Sequence, residues 1–285
     1  MILFTALDDG ADEPALYAMR GDGTGLQRLE ADIREVAFDP SGREIAFVRD
    51  VESEDGDSYP QIFVAPFDDI GAARQVTDLP ASRNGQPSWS PEARELAFVS
   101  NHDGIEDIWT VNLDTGVTYN VTQGETPSRQ PAWRPLLGSR EVVYTAETSI
   151  GFELFVLDIR DEGVEVESRR LTVRPNNYAP SWNANGQRIT FLSDRGSGDN
   201  ADVYIMDADG GDQRLVTRDD GDAEDRSPHF SPDGRYIAFI SNRLGERFDV
   251  YLISPDGSVL NRLTERDADA IQLVYQPVLF YRLSN

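Results

Sequence analysis

Residues 227–257 read SPHFSPDGRYIAFISNRLGERFDVYLISPDG, and the same phrase stands at 180–210 as PSWNANGQRITFLSDRGSGDNADVYIMDADG. The two align in register: PSW with PHF, NANG with SPDG, RITFL with YIAFI, SDR with SNR, DVYIM with DVYLI. Further copies run over 87–116, 131–158 and 36–68, the last with a long acidic insert. The anchor aromatics Phe38, Trp89, Trp133, Trp182 and Phe230 stand 51, 44, 49 and 48 residues apart. Self-similarity at this period means a repeat architecture, and the content of the unit decides which one.

Each unit spells four short strands. A strand carries the anchor (PSW), a turn such as SPDG follows, and an alternating run (YIAFI) leads into a polar hairpin. A second run (VYLIS), a tight PDG or ADG turn and a last short strand (NRLT, QRLVT, YNVT) complete it. Gly and Asp suit these turns because they tolerate positive φ or close local hydrogen bonds. Four strands per unit, with nothing helical between them, predict an all-β chain: a six-bladed β-propeller of four-stranded antiparallel blades. Five units occupy 36 to about 273. The N-terminal ILFTAL, ALYAMR and LQRLE match the second, third and fourth strands of a unit, and the C-terminal QPVLFYR supplies an anchor strand. The expectation is one domain over 1–285, its sixth blade shared between about 1–35 and 274–285, so that the C-terminal strand closes the ring on the N-terminal three.

The pattern carried best by Pro228, Ser231, Pro232, Asp233, Gly234, Ser241, Asn242, Arg243, Asp249, Tyr251, Asp256 and Gly257 resembles the WD-repeat-like propeller repeat of the TolB family. It is also similar to the propellers of prolyl-oligopeptidase-type and tricorn-type proteases. The resemblance covers nearly the whole chain and implies the fold. For function it implies partner binding of the TolB kind, which in that family takes place in the periplasm with a peptidoglycan-associated lipoprotein. The fold itself hosts many activities.

Composition narrows the chemistry. Cysteine is absent and all 26 basic residues are Arg, which removes thiolate and Schiff-base catalysis and Cys-ligated metals. A net charge of −25 opposes nucleic acid and anionic membranes, and no apolar run approaches the ~18 residues of a membrane span. The start, MILFTALDDG, has no basic region followed by a long apolar one. The chain is expected to be a monomer, cytoplasmic if complete and periplasmic or extracellular if an export signal was trimmed. No G-x-S-x-G is present, and the two histidines, His102 and His229, read as a hairpin residue and a strand residue. No catalytic residue and no metal ligand is assigned, and no cofactor is required. Two acidic stretches, 50–58 and 194–202, could hold a calcium ion or be solvated loops; neither has the spacing of a calcium-binding hand. Arg20-Gly21-Asp22 reads as a turn.

Two registers recur around the ring. Just before the third strand stand Asp107, Glu153, Asp202 and Asp249, with Gln61 and Ala15 in the other units. These acids could face a cation or satisfy hydrogen bonds within their own blade. Two positions before the anchor Pro, or its equivalent, stand Arg34, Gly85, Arg129, Tyr178, Arg226 and Tyr275, with Gln86, Gln130 and Gln276 next to them. The loop into the innermost strand opens on the central channel, so this register predicts a channel mouth. Arg34, Arg83, Arg129, Asn177, Tyr178, Arg226 and Tyr275 are the predicted partner-binding residues, because Arg and Tyr dominate binding hot spots and Arg grips carboxylates. The alternative at each Arg is a brace to an acid of its own blade, such as Asp225. The expected function is non-catalytic binding of a protein or peptide at this face. The other class kept open is a hydrolase or lyase with a small-molecule site in the channel, helped by a cation.

Overall fold

The computed structural model describes all residues except 54–55, 80, 160–166, 175, 197–199, 218–222, 266–267 and 278–285. It contains six four-stranded antiparallel sheets, each a blade. Numbered in chain order, their innermost strands are Arg34–Phe38, Asn84–Trp89, Ser128–Trp133, Asn177–Trp182, Asp225–Phe230 and Ala268–Tyr275. Blade 5 is typical: Asp225–Phe230, Ile237–Ser241, Asp249–Ile253 and Leu260–Arg262 follow one another outward. Among the described residues no helix is long and apolar enough to cross a membrane.

The runs alternate because each blade buries both faces. Six clusters of buried side chains lie between successive blades, one for each interface around the ring. At the same register of every blade the second and third strands pair two aromatics: Phe4 with Tyr17, Phe47 with Phe63, Phe98 with Trp109, Tyr144 with Phe155, Phe191 with Tyr204, Phe239 with Tyr251. Directly opposed aromatics are among the stronger cross-strand pairs, and here they lock register as well as filling the interface. The hairpin Arg of SDR and SNR then lies on this stack: Arg195 over Phe191 and Tyr204, Arg243 over Phe239 and Tyr251. The glycine of the ADG and PDG turns has a second duty. Gly210 and Gly257 take φ of 93° and 75°, and a Cβ would stand 2.7 Å from the Leu171 carbonyl oxygen and 2.8 Å from that of Val216, in the preceding blade. Arg20-Gly21-Asp22 is indeed a turn, with the Thr24 N–H donating to Asp22 Oδ1 at 3.0 Å.

The recurring acids prove to be latches. Asp107, Glu153, Asp202 and Asp249 are buried at the start of, or early in, the third strand. A threonine just past the fourth strand folds back over three of them, Asp107, Glu153 and Asp249. Thr122 Oγ1 donates to Asp107 at 2.6 Å and Thr264 Oγ1 to Asp249 at 2.7 Å, while Thr172 donates to Glu153. The same hydroxyl accepts a backbone N–H of the third strand at 2.9 Å in five blades, from Ile62, Ile108, Leu154, Val203 and Val250. Gln61 plays the acid's part in blade 1, accepting from Thr77 at 2.9 Å. These carboxylates therefore serve hydrogen bonding inside the blade. Of the two acidic stretches considered for calcium, 54–55 and 197–199 lie outside the described residues.

Ring closure is as expected in kind and shifted in place. Ala268–Tyr275 pairs antiparallel with Ile2–Asp8, and the sixth blade is completed by Ala15–Met19 and Gln27–Ala31. The closing strand thus begins six residues before 274. Tyr275 pairs with Ile2, as Phe230 pairs with Ile237 and Trp182 with Ile189. It is the sixth anchor aromatic, 45 residues after Phe230, and not a mouth residue. The Pro that follows the anchor by two is Pro277, matching Pro91, Pro135 and Pro232, so it is the second proline of the unit and the strand lies upstream of it.

Two outcomes are expected. Truncation before Ala268 removes one wall of two blade interfaces and opens the ring, so the melting temperature falls by more than about 10 °C or the chain fails to fold; a shift of a degree or two would contradict closure by this strand. Thr172→Val leaves the Leu154 N–H and one Glu153 oxygen unpartnered, at a cost of about 2 kcal/mol, read as a loss of roughly 4–8 °C in thermal melting.

Candidate functional site

All six inner strands run in the same direction, so their first residues gather at one end of the central channel. The channel encloses about 940 Å³ and is lined from every blade. At its mouth the register two before the anchor Pro holds Arg34, Gly85, Arg129, Tyr178 and Arg226, with Ile271 in the place expected for Tyr275. Arg34, Tyr178, Arg226 and Ile271 line the channel. Arg83 is exposed at the approach to the same end, its N–H held by Asn101 Oδ1 at 2.8 Å.

The mouth arginines are paired. Arg34 bonds Asp50, Arg129 bonds Glu106 of the neighbouring blade, and Arg226 Nε lies 2.8 Å from Glu224 Oε1 while its guanidinium covers the Phe248 ring at 3.6 Å. The own-blade brace is therefore realised at Arg34 and Arg226, while Arg129 pairs across to the neighbouring blade, and what the mouth offers is three compensated ion pairs beside an aromatic lip. Such half-exposed pairs contribute little to stability. They can exchange partners with an incoming charged group. Tyr178 keeps its phenol protonated: burial, and then Asp194 and Glu224, raise its pKa.

Asn177 requires a correction. It is fully buried one residue before the mouth register, its amide donating to the Arg174 carbonyl and accepting from Arg195. It cannot touch a partner. The same place in blade 5 holds Asp225, also fully buried, which accepts from Arg243 Nη2 at 2.8 Å. Burial pushes the Asp225 carboxyl up to about 6, against the pull of Arg243. Gln276 also leaves the mouth, since its Nε2 donates to the Gly42 carbonyl at 2.8 Å. His102 sits edge-on to Trp109 in its hairpin.

One step below the mouth lies a feature the sequence hardly advertises. Inner strands 1 to 5 each bulge, and the bulged residue is a non-glycine in the left-handed region: Glu35, Gln86, Gln130, Ala179 and Ser227, with φ of 51°, 54°, 55°, 52° and 48°. Bulges re-aim side chains, and left-handed non-glycine residues cost energy that packing must offset. Here they turn polar groups sideways into a belt. The Gln86 N–H donates to Glu35 Oε2 at 2.6 Å, the Gln130 N–H to Gln86 Oε1 at 2.7 Å, and the Ala179 N–H to Gln130 Oε1 at 2.8 Å. Across the closing blade, the Leu273 N–H donates to Ser227 Oγ at 3.1 Å and the Val36 N–H to Gln272 Oε1 at 3.0 Å. Gly85 has its reason in this belt, because any Cβ there would collide with Glu35 Oε2. Burial raises the Glu35 pKa. Deeper still, His229 lines the channel where other blades have Ala37, Ser88, Ala132, Ser181 and Val274, and burial lowers the pKa of its imidazole. Gln86 and Gln130 were visible beside the mouth register. The pairing between blades was not, because it depends on the bulge.

The family model described as TolB beta propeller domain matches residues 86–217 and 139–278. The chain belongs to this family. A Chlorobium luteolum protein named as a TolB homolog is 32% identical over 152 residues, covering 53% of this chain and 32% of that protein. The chain thus spans about a third of that TolB homolog's length. An uncharacterized Agrobacterium fabrum protein is 27% identical over 179 residues, 60% of this chain and 58% of that one. Among solved structures, TolB from Acinetobacter baumannii superposes with a TM-score of 0.81 at 22% identity, over 97% of this chain and 67% of that one. An oligogalacturonate lyase in complex with manganese gives 0.60 at 15%, over 92% and 72%. At these identities the structures speak for the fold alone. This TolB-family propeller shares its architecture with TolB and with a lyase.

The charged pair in blade 5 yields a pH test. Asp225 has a folded-state pKa of about 6 against 3.8 for the free group. Its contribution is therefore fully present below about pH 4 and is lost as pH rises through about 6. Asp225→Asn copies Asn177 of blade 4 and removes this titration. The melting temperature of the variant relative to wild type should rise between about pH 4 and about pH 7; a constant difference would contradict the shift.

Proposed function

We propose that this propeller is a non-catalytic binding module that takes a segment of a protein or peptide partner into the channel mouth. The observation that carries the reading is the channel itself. It is open at the mouth and walled by prolines and anchor aromatics. A belt of linked polar groups lies beneath a lip of Tyr178, Arg34 and Arg226, with His229, Ser88 and Ser181 deeper in the channel. An apolar wall with a few placed polar groups suits an inserted side chain, and an aromatic and arginine lip suits the segment around it. The compensated pairs Arg34–Asp50, Arg129–Glu106 and Arg226–Glu224 allow the lip to meet either charge by exchanging partners. The TolB names among its relatives are in keeping with this reading.

Affinity capture with wild type beside Arg34→Ala, Arg129→Ala, Arg226→Ala combined with Tyr178→Ala tests it, both baits being matched in melting temperature. A partner held by wild type and lost by the variant is the expected result. Equal capture by both would move the binding face elsewhere. No capture by either would favour the small-molecule alternative.

A further inference from the structure

The belt inside the channel has one open step. Glu35, Gln86 and Gln130 each extend a side-chain oxygen to a bulge N–H of the next inner strand. Ala179 holds the fourth strand's place in the same left-handed conformation, and its methyl group offers no acceptor. The next bulge N–H, that of Ser227, is thus left without a side-chain acceptor from its neighbour. The Ser227 hydroxyl is already engaged on the other side, accepting from the Leu273 N–H at 3.1 Å and facing the Leu273 carbonyl at 3.3 Å. Two residues along, His229 Nδ1 lies 3.3 Å from the Ser227 carbonyl oxygen. A carbonyl can only accept, so Nδ1 carries the hydrogen and Nε2 is left as an acceptor. Burial disfavours the imidazolium, which keeps the ring neutral. Ala179, Ser227 and His229 all line the channel.

The open step therefore presents one donor, an amide N–H, and one acceptor, an imidazole nitrogen. It also has the space left by a missing side chain. We propose that it is a subsite for a primary carboxamide, supplied by a Gln or Asn side chain of the segment that enters the mouth. The carboxamide oxygen accepts from the Ser227 N–H and its NH₂ donates to His229 Nε2. The belt provides the precedent, because Gln86, Gln130 and Gln272 already bring a carboxamide oxygen to a backbone N–H at three other steps. A partner's carboxamide would complete the ring. A carboxylate has no donor for His229 and would share the channel with Glu35, and a ketone lacks the donor too. The inference rests on the channel-mouth reading only for the source of the carboxamide.

The test is a titration of the ¹⁵N-labelled full chain with butyramide, butyrate and 2-pentanone, following the Ser227 amide and the His229 ring nitrogens. Butyramide should shift both saturably, and the other two should bind about tenfold more weakly or not at all. Ala179→Gln installs the residue that blades 2 and 3 carry at this register. It should fill the step from within, abolish the butyramide shift and hold or raise the melting temperature. His229→Ala, the choice of blades 1 and 3, should keep the fold and weaken butyramide several-fold. A capped peptide with a central glutamine should bind more tightly than butyramide; equal affinities would overturn the assignment to an inserted segment. Absence of a saturable butyramide shift, or a shift unchanged in Ala179→Gln, would overturn the subsite whatever affinity capture returns. Intact butyramide binding with no captured partner would instead count against the partner reading alone.

Discussion

A four-stranded sheet with two apolar faces is stable only if both faces are covered, and in this ring each blade is covered by the next. No blade has a private core, since the six apolar clusters all lie between blades. The arrangement becomes self-consistent only when the last interface forms. That requires Ala268–Tyr275 to pair with Ile2–Asp8, bringing the two ends of the described chain into one sheet. Closure of this kind leaves no inner edge strand unpaired. It also gives the channel its sixth wall, without which the belt, the mouth and the anchor ring would all be open on one side.

Around that frame, many buried polar groups are satisfied within their own blade. The threonine latch holds the outer strand to the third, its hydroxyl accepting from that strand in five blades and in four of them also donating to the strand's acid or to Gln61. Arg195 and Arg243 lie on aromatic pairs and tie the hairpins to the inner strands through Asn177 and Asp225. One blade uses a neutral partner and the next a charged one in the same place. The guanidinium is held chiefly by geometry and stacking, and the charge of its partner is a secondary choice. The acidic surface follows the same economy, with mouth arginines drawn into pairs by nearby carboxylates.

The channel departs from this local logic. Its polar groups are satisfied between blades, by side chains that reach sideways from strained bulges. A belt made of reaching glutamines is sensitive to a single short side chain, and Ala179 is that side chain. Strained bulges beside an unfilled hydrogen-bonding step are what the proposed carboxamide subsite rests on.

The sequence by itself determined the blade. The aromatic period, the SPDG and PDG turns and the alternating runs are local, and local sterics and hydrogen bonding act within a few residues. Those signals are therefore legible in one copy and confirmed by the next. The family resemblance rested on the same residues. The sequence also carried the recurring acids, though not their threonines as partners, because the two lie about fifteen residues apart and meet only when the outer strand folds back. Tertiary structure alone decided the rest. It set the closing strand's register, which a second proline obscured although the 45-residue step to Tyr275 was there to be counted. It put Asn177 inside and left Tyr178 on the lip, since one residue along a strand exchanges faces. It formed the belt, because a bulge turns backbone and side chain toward a neighbouring blade some fifty residues away, a relation that no pattern within a single repeat can express.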